Sequence, residues 1–317
     1  MKAINSGVSI RALGYLVALA EEKHFGRAAE RCFVSQPTLS AQIKKLEEQL
    51  GVQLVERNQR RVMVTELGYD IADRARSVLN AVEEIVEATR AHQDPLAGEL
   101  RVGLIPTVGP YLLPRITPGL HKSFPRLRLM LLEYQTDELL GRLEEGSLDL
   151  AVLADTIDVE PYAAFTLYEE DFVVALPADH RLARRRRLKI DDLDDETLLL
   201  LEEGHCLSDQ ALEVCSQIRV EGPQDFRATS LETLRQMVAA GVGVTLLPEL
   251  AANYSAATGG GLALRPFQQP RPGRKVLGLW RKSNPRRATI KQVCQEIRSV
   301  IGGDGKSREQ RGRSSGS

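Results

Sequence analysis

The chain is short of several things. No apolar run approaches the roughly 20 residues that a membrane-spanning helix needs, and residues 1–7 carry one lysine with no apolar stretch behind it. Neither a membrane partner nor a secretory signal is therefore expected. Four cysteines in 317 residues are too few for a disulfide framework. They fit a reducing cytoplasm, where a disulfide is transient and regulatory. There is no C-x-x-C pair, and His205 is the only histidine near two of the cysteines, so no metal or other cofactor is expected. Charge of one sign is also missing: the formal net charge is −1, which excludes bulk polyelectrolyte character.

What charge there is lies unevenly. Residues 1–66 hold ten Lys/Arg and seven Glu with no Asp, a net of +3, which leaves −4 for the rest. A basic head on an acidic body hints at nucleic acid. The length allows two or three domains, each with its own core.

Residues 9–31 predict two helices, the second over 26–31, with Ala28 and Ala29 small enough for close packing. Ser35 is a good N-cap and Pro37 is tolerated in a first turn, so a third helix should run from 36 to 50. It would bury Leu39, Ile43, Leu46 and Leu50 and end at Gly51. Its other face carries Pro37, Thr38, Ala41, Lys44 and Lys45. Two helices joined by a tight turn, the second polar at its tip and basic further on, match a helix-turn-helix that enters the major groove of double-stranded DNA. Arg57, Arg60 and Arg61 with Val62, Val64 and Thr65 read as a short basic hairpin, a wing on the phosphates.

Residues 66–91 predict a long helix in which Ile71, Ala75, Val78, Val82 and Ile85 alternate by four and three, a coiled-coil seam that would pair two chains. A hinge follows at 93–98. Strands are then expected at 100–105, 127–134 and 149–154, helices at 111–124 and 137–145, and a loop at 106–110. A second such unit starts near Phe172, with strands at 198–201, 226–228 and 244–247 and a helix from Ser230 to Gly241. The stretch 262–267 would cross back, and a strand at 276–280 with a helix at 288–301 would complete the first unit. Such alternation implies parallel sheets covered on both faces, with a ligand cleft at the strand ends. The expected divisions are a head at 1–66, a linker at 67–92 and a regulatory domain at 93–301. Within the last, one subdomain covers about 99–171 and 268–301 and the other about 172–267. The Gly/Ser/Arg-rich residues 302–317 are expected to be disordered, and the opposite charges at 184–187 and 191–196 read as solvated surface.

The stretch from Glu202 to Cys215, EEGHCLSDQALEVC, holds two cysteines. Apolar residues at 207, 211, 212 and 214 predict a short amphipathic helix with Cys206 at its N-terminus, where an anion is favoured. Nine residues of helix span about 13.5 Å and put the two thiols on opposite faces, while a disulfide needs Cα atoms within about 7 Å. If the pair bonds, the helix between must unwind. The alternative is that both are small buried hydrophobes.

These segments resemble a known family. AAERCFVSQPTLSAQIKKLEEQLGVQLVER is similar to the DNA-binding signature of LysR-type transcriptional regulators. GLIPTVGPYLLP from Gly103, EYQTDELL from Glu133, GHCLSDQALEVC and FRATSLETLRQMVAAG from Phe226 are similar to the peroxide-sensing OxyR branch of that family, over essentially residues 10–301. The resemblance implies a winged helix-turn-helix and a regulatory domain with two subdomains like those of periplasmic binding proteins. It implies that Cys206 senses hydrogen peroxide and Cys215 resolves it, while Thr107, Thr136, His205 and Asp209 hold the peroxide and its waters. It further implies dimers and tetramers, RNA polymerase as a partner and a cellular thiol reductant. DNA contacts would fall to Gln36, Pro37, Thr38, Lys44, Arg57 and Arg60. From the residues alone, Thr136 could instead cap a helix and Thr107 could only order its turn.

Two positions depart from the family pattern. Cys32 stands where a buried leucine is common and reads as core. Ser208 stands where the best-known members carry an arginine that favours the thiolate. The competing functions are a LysR-type regulator that binds a small metabolite in the cleft, with structural cysteines, and a thiol peroxidase. A DNA-binding head argues against an enzyme.

Overall fold

A computed structural model describes residues 7–58, 61–155, 157–202, 204, 206–216, 227–258 and 261–314. The chain divides into two compact units, residues 1–89 with 145–147, and residues 90–144 with 148–317.

In the first unit α1 (Ile10–Glu22) is capped by Ser9, whose Oγ accepts from the Ala12 amide at 3.1 Å. α2 (Phe25–Arg31) follows under a His24 cap. α3 (Gln36–Leu50) starts at Ser35, whose Oγ accepts from the Thr38 amide, and ends at Gly51 in the left-handed region at φ 70°. Leu16, Leu19, Leu39, Ile43, Leu46 and Leu54 are fully buried and form the core of this unit. Leu50, expected in that core, is 37% exposed. Leu50 is the last residue of α3, and the adjoining apolar volume is filled by Leu54 from the next segment.

The hairpin of β1 (Val55–Asn58) and β2 (Arg61–Val64) pairs Val55 with Val64 and Asn58 with Arg61. One Glu47 carboxylate oxygen accepts from both the Leu54 and Val55 amides, which ties α3 to β1. Thr65 then opens α4 (Glu66–Gln93), its Oγ1 accepting from the Gly68 amide at 2.9 Å. A Cβ on Gly68 would lie 2.2 Å from the Leu54 carbonyl, so this close approach needs glycine. Along α4, Ala75 is buried, Ile71 and Val82 are half-buried, and Val78 and Ile85 are exposed at 45% and 68%. That apolar stripe is what a seam between two chains requires.

The second unit begins with β3 (Gly98–Leu104), α5 (Gly109–Ser123), β4 (Leu127–Glu133), α6 (Thr136–Glu144) and β5 (Leu150–Ala154). β3 lies between β4 and β5 and is parallel to both. The 16-residue β6 (Tyr162–Pro177) comes next. It is followed by β7 (Leu200–Leu201), α7 (Cys206–Val214), β8 (Arg227–Ala228), α8 (Leu231–Ala239), β9 (Thr245–Pro248) and α9 (Glu249–Thr258). β10 (Leu262–Pro266), β11 (Gly273–Arg281) and α10 (Arg287–Ser314) complete the chain.

The sheet runs β10-β6-β11-β5-β3-β4, with β9 also on β6. It is mixed, where strand-helix alternation predicts parallel. β11 is antiparallel to β5 and to residues 162–171 of β6, while β9 and β10 are antiparallel to residues 172–177. The strands that pass between the two halves need no helical crossover, because an antiparallel neighbour can be reached directly. In the second half the two-residue β7 and β8 form a parallel pair, with isolated parallel bridges at Leu188–Phe267 and Leu198–Val244. α9, which the sequence reading does not separate out, is rich in alanine and only weakly one-sided. α10 continues to Ser314, where composition predicts disorder from 302; a helix anchored by buried Ile290, Val293, Cys294 and Ile297 propagates more cheaply than it nucleates. No described helix is long and apolar enough to cross a membrane.

Candidate functional site

Cys206 is the first residue of α7 and is 6% exposed. Its Sγ lies 3.5 Å from Oγ1 of Thr136, the first residue of α6. Thr136 is thus inside its helix with the hydroxyl turned to sulfur, not a cap. Thr107 lies in the turn between β3 and α5, where the Val108 and Gly109 amides both donate to the Ile105 carbonyl. Ile105, Pro106, Thr107, Gln135, Thr136, Gly204 and Cys206 line one small pocket. Gly204 has φ 90°, and a Cβ there would meet Gln135 Oε1 at 2.6 Å, so glycine lets this turn press against the segment carrying Thr136. Asp209 is exposed and faces a larger cavity of about 1120 Å³ next door, shared with Asp137, Asp155, Gln210 and Glu213. His205 lies outside the described residues.

Sequence reasoning missed a buried pair behind this pocket. Arg274 on β11 and Glu170 on β6 are cross-strand partners, both almost fully buried. Arg274 Nε donates to Glu170 Oε1 at 2.9 Å, Nη1 to Thr107 Oγ1 at 3.1 Å and Nη2 to the Thr107 carbonyl at 3.2 Å. Glu170 Oε2 accepts from the Leu250 amide at the start of α9. A buried charge is tolerated when it is paired and its remaining hydrogen-bonding groups are satisfied. In sequence Arg274 looks like an ordinary exposed strand start; only the register of β6 against β11 sets it opposite a carboxylate.

Cys215 follows α7 by one residue and is 2% exposed; its amide donates to the Ala211 carbonyl, so the helical turn still holds it. Burial pushes its thiol up to about 11. Ser208 is also buried, and its hydroxyl donates to the Leu201 carbonyl at 2.8 Å. The serine therefore serves the packing of α7 on β7. Cys294 is fully buried with its thiol pushed up to about 12 by burial, and Cys32 is half-buried against the core of the first unit. All four cysteines are free thiols. Among the described residues no group of three or more His, Cys, Asp or Glu could hold a metal.

At the start of α3, Gln36, Pro37 and Thr38 are exposed, and Thr38 Oγ1 is 2.8 Å from Ser35 Oγ. Lys44 is exposed two turns on, 3.9 Å from Glu48. Arg57 belongs to β1, though the structure describes its backbone only, and Arg60 lies outside the described residues.

Two family models match. Residues 10–69 match the bacterial regulatory helix-turn-helix protein, lysR family, and residues 93–302 match the LysR substrate binding domain. A hydrogen peroxide-inducible genes activator from Dickeya chrysanthemi is 47% identical over 291 residues, 92% of this chain and 95% of that one. A full-length OxyR variant from Pseudomonas aeruginosa superposes with a TM-score of 0.74 at 41% identity, covering 92% of this chain and 96% of that one. Crystal structures of the reduced and oxidized forms of OxyR match with a TM-score of 0.61 each, at 42% and 43% identity, covering 67% of this chain and 99% of theirs. With its helix-turn-helix, its substrate-binding-type domain and relatives alike over nearly their whole length, the chain belongs to the LysR family of transcriptional regulators, in its OxyR branch.

Proposed function

We propose that this chain is a DNA-binding transcriptional regulator that senses hydrogen peroxide through a reversible Cys206–Cys215 disulfide. The observation that carries the reading is the 3.5 Å contact of Cys206 Sγ with Thr136 Oγ1 in a pocket shared with Thr107, with Cys215 held at the far end of the same short helix. The Cys206 thiolate attacks one peroxide oxygen and the O–O bond breaks. Sulfenic acid forms on Cys206, and the departing hydroxide takes a proton and leaves as water. Thr107 and Thr136 orient the two oxygens, and His205 and Asp209 are the side chains assigned to the proton transfer. Cys215 then attacks the Cys206 sulfur, the S–O bond breaks, water leaves and the disulfide closes.

Closure is incompatible with an intact α7, whose nine residues hold the sulfurs farther apart than any disulfide tolerates. Unwinding the segment repacks its surroundings and changes how the DNA-reading helices are presented. Gln36, Pro37, Thr38 and Lys44 read the groove, and Arg57 and Arg60 hold phosphates. Residues 1–66 form the head, 67–92 the pairing helix and 93–301 the sensor; the exposed apolar stripe on α4 supports a dimer, and dimers pair into tetramers. The chain works in the cytoplasm with RNA polymerase, and a cellular thiol reductant resets it. It is oxidised once per signal and so is not an enzyme.

The test is stopped-flow oxidation of Cys206 by peroxide in the purified full chain, with mass-spectrometric mapping of the disulfide and DNA footprints before and after. A rapid Cys206–Cys215 bond with an altered footprint is the expected result. A disulfide that leaves the footprint unchanged shifts the reading to a small ligand in the cavity of about 1120 Å³ beside Cys206. Repeated turnover of peroxide would favour a thiol peroxidase.

A further inference from the structure

The turn between α2 and α3 holds a residue whose exposure nothing among the described residues explains. Phe33 is 96% exposed, the most exposed large apolar side chain among the described residues. It also has φ 56°, in the left-handed region. The Cys32 amide donates to the Ala28 carbonyl, Phe33 to Glu30 and Val34 to Ala29, each at 3.0 Å. These bonds make Phe33 the residue that ends α2 in a left-handed cap, a position that favours glycine or asparagine and disfavours an aromatic. Val34, the next residue, packs on the core. The ring therefore costs strain and gains no burial within its own chain, and strain of this kind concentrates where a function requires the residue.

The location narrows the partner. Phe33 precedes the exposed Gln36, Pro37 and Thr38 by three to five residues, at the same end of α3. We propose that the Phe33 ring is a DNA contact that packs on apolar carbon at the edge of the major groove, either a thymine C5-methyl or a deoxyribose. Phenylalanine against the thymine methyl is one of the few apolar contacts through which a protein reads sequence. The inference rests on α3 as the DNA-reading helix.

The experiment uses the full chain and a duplex selected by it from a random-sequence pool. Phe33→Asn suits the left-handed cap, so it should melt at or above the wild-type temperature while binding the selected duplex about tenfold more weakly; Phe33→Leu should keep most of the affinity. Replacing single thymines by deoxyuridine removes only the methyl. A loss of about fivefold at one position per half-site in wild type, absent in Phe33→Asn, identifies the methyl as the contact. Weak binding by Phe33→Asn without any deoxyuridine effect identifies the deoxyribose. Wild-type affinity in Phe33→Asn, with clear loss in Gln36→Ala, overturns the Phe33 contact alone. Wild-type affinity in both overturns the α3 reading as well. Loss of affinity that comes with dissociation of the dimer also overturns the contact, and assigns the ring to a second copy of the chain.

Discussion

α3 and α7 are both short helices carrying the residues that matter most, yet they are held very differently. α3 has 15 residues, a serine cap, a glycine stop and three fully buried apolar side chains, and it is tied to β1 through Glu47. α7 has nine residues, shorter than the roughly 12–15 at which an isolated helix becomes even marginally stable. Its buried side includes the polar Ser208 and Gln210 beside Cys206, Leu207 and Ala211. Gln210 Oε1 is buried with no hydrogen-bond partner among the described residues, and Leu212 is 43% exposed. The helix proposed to read DNA is over-determined by its packing, whereas the one proposed to come apart on oxidation is shorter and more polar on its buried side. Low local stability is where a switching element has to be found.

The sharpest way to break this comparison is to remove the trigger. Cys206→Ser should abolish the peroxide-dependent change in DNA footprint entirely while leaving reduced-state binding intact; a surviving response means that α7 is not the switch. Next in size is a cavity in the rigid helix. Ile43→Ala should destabilise the head by about 2–5 kcal/mol and weaken DNA binding in proportion, as read by denaturant titration and gel shift. The same truncation at Leu207 should leave the head's transition unchanged.

pH sharpens the comparison further. Burial holds the Cys215 thiol at about 11, against an ordinary 9.0, so the folded chain keeps this proton more tightly than the unfolded one. The resulting stabilisation is complete below about pH 9 and is lost between about pH 9 and 11, for at most about 2–3 kcal/mol. Hydrogen-exchange protection over residues 207–214 in reduced protein, taken relative to the base-catalysed intrinsic rate, should fall across that window while that of α3 does not; Cys215→Ala should remove the difference. The smallest expected effects are at the DNA surface. Thr38→Ala should change base preference by about 1–3 kcal/mol at one position. Arg60→Ala should weaken every duplex alike and lower the salt slope by about one unit. Equal losses on all sequences for both variants would remove the division between reading and holding.

How much could be read beforehand follows from where the relevant contacts lie along the chain. Ser35, Pro37, Leu39, Ile43, Leu46 and Gly51 announce α3 because caps, stops and a 3.6-residue period are local properties. The α7 segment is legible for the same reason, as is the impossibility of a disulfide across an intact helix. By itself the sequence determined most of the helices, a helix-turn-helix ahead of a regulatory domain, and the geometric conflict between Cys206 and Cys215. Tertiary structure alone decided the rest. β6 pairs antiparallel with β11 in one half and with β9 and β10 in the other, a pairing over some 100 residues that no local pattern encodes. That pairing sets Arg274 against Glu170 and brings Arg274 onto Thr107. Likewise the meeting of Thr136 with Cys206 and the use of Ser208 by Leu201 depend on how distant strands and helices pack. Periodicity reports which face of an element is buried, but the partner on that face is chosen only when the whole sheet closes.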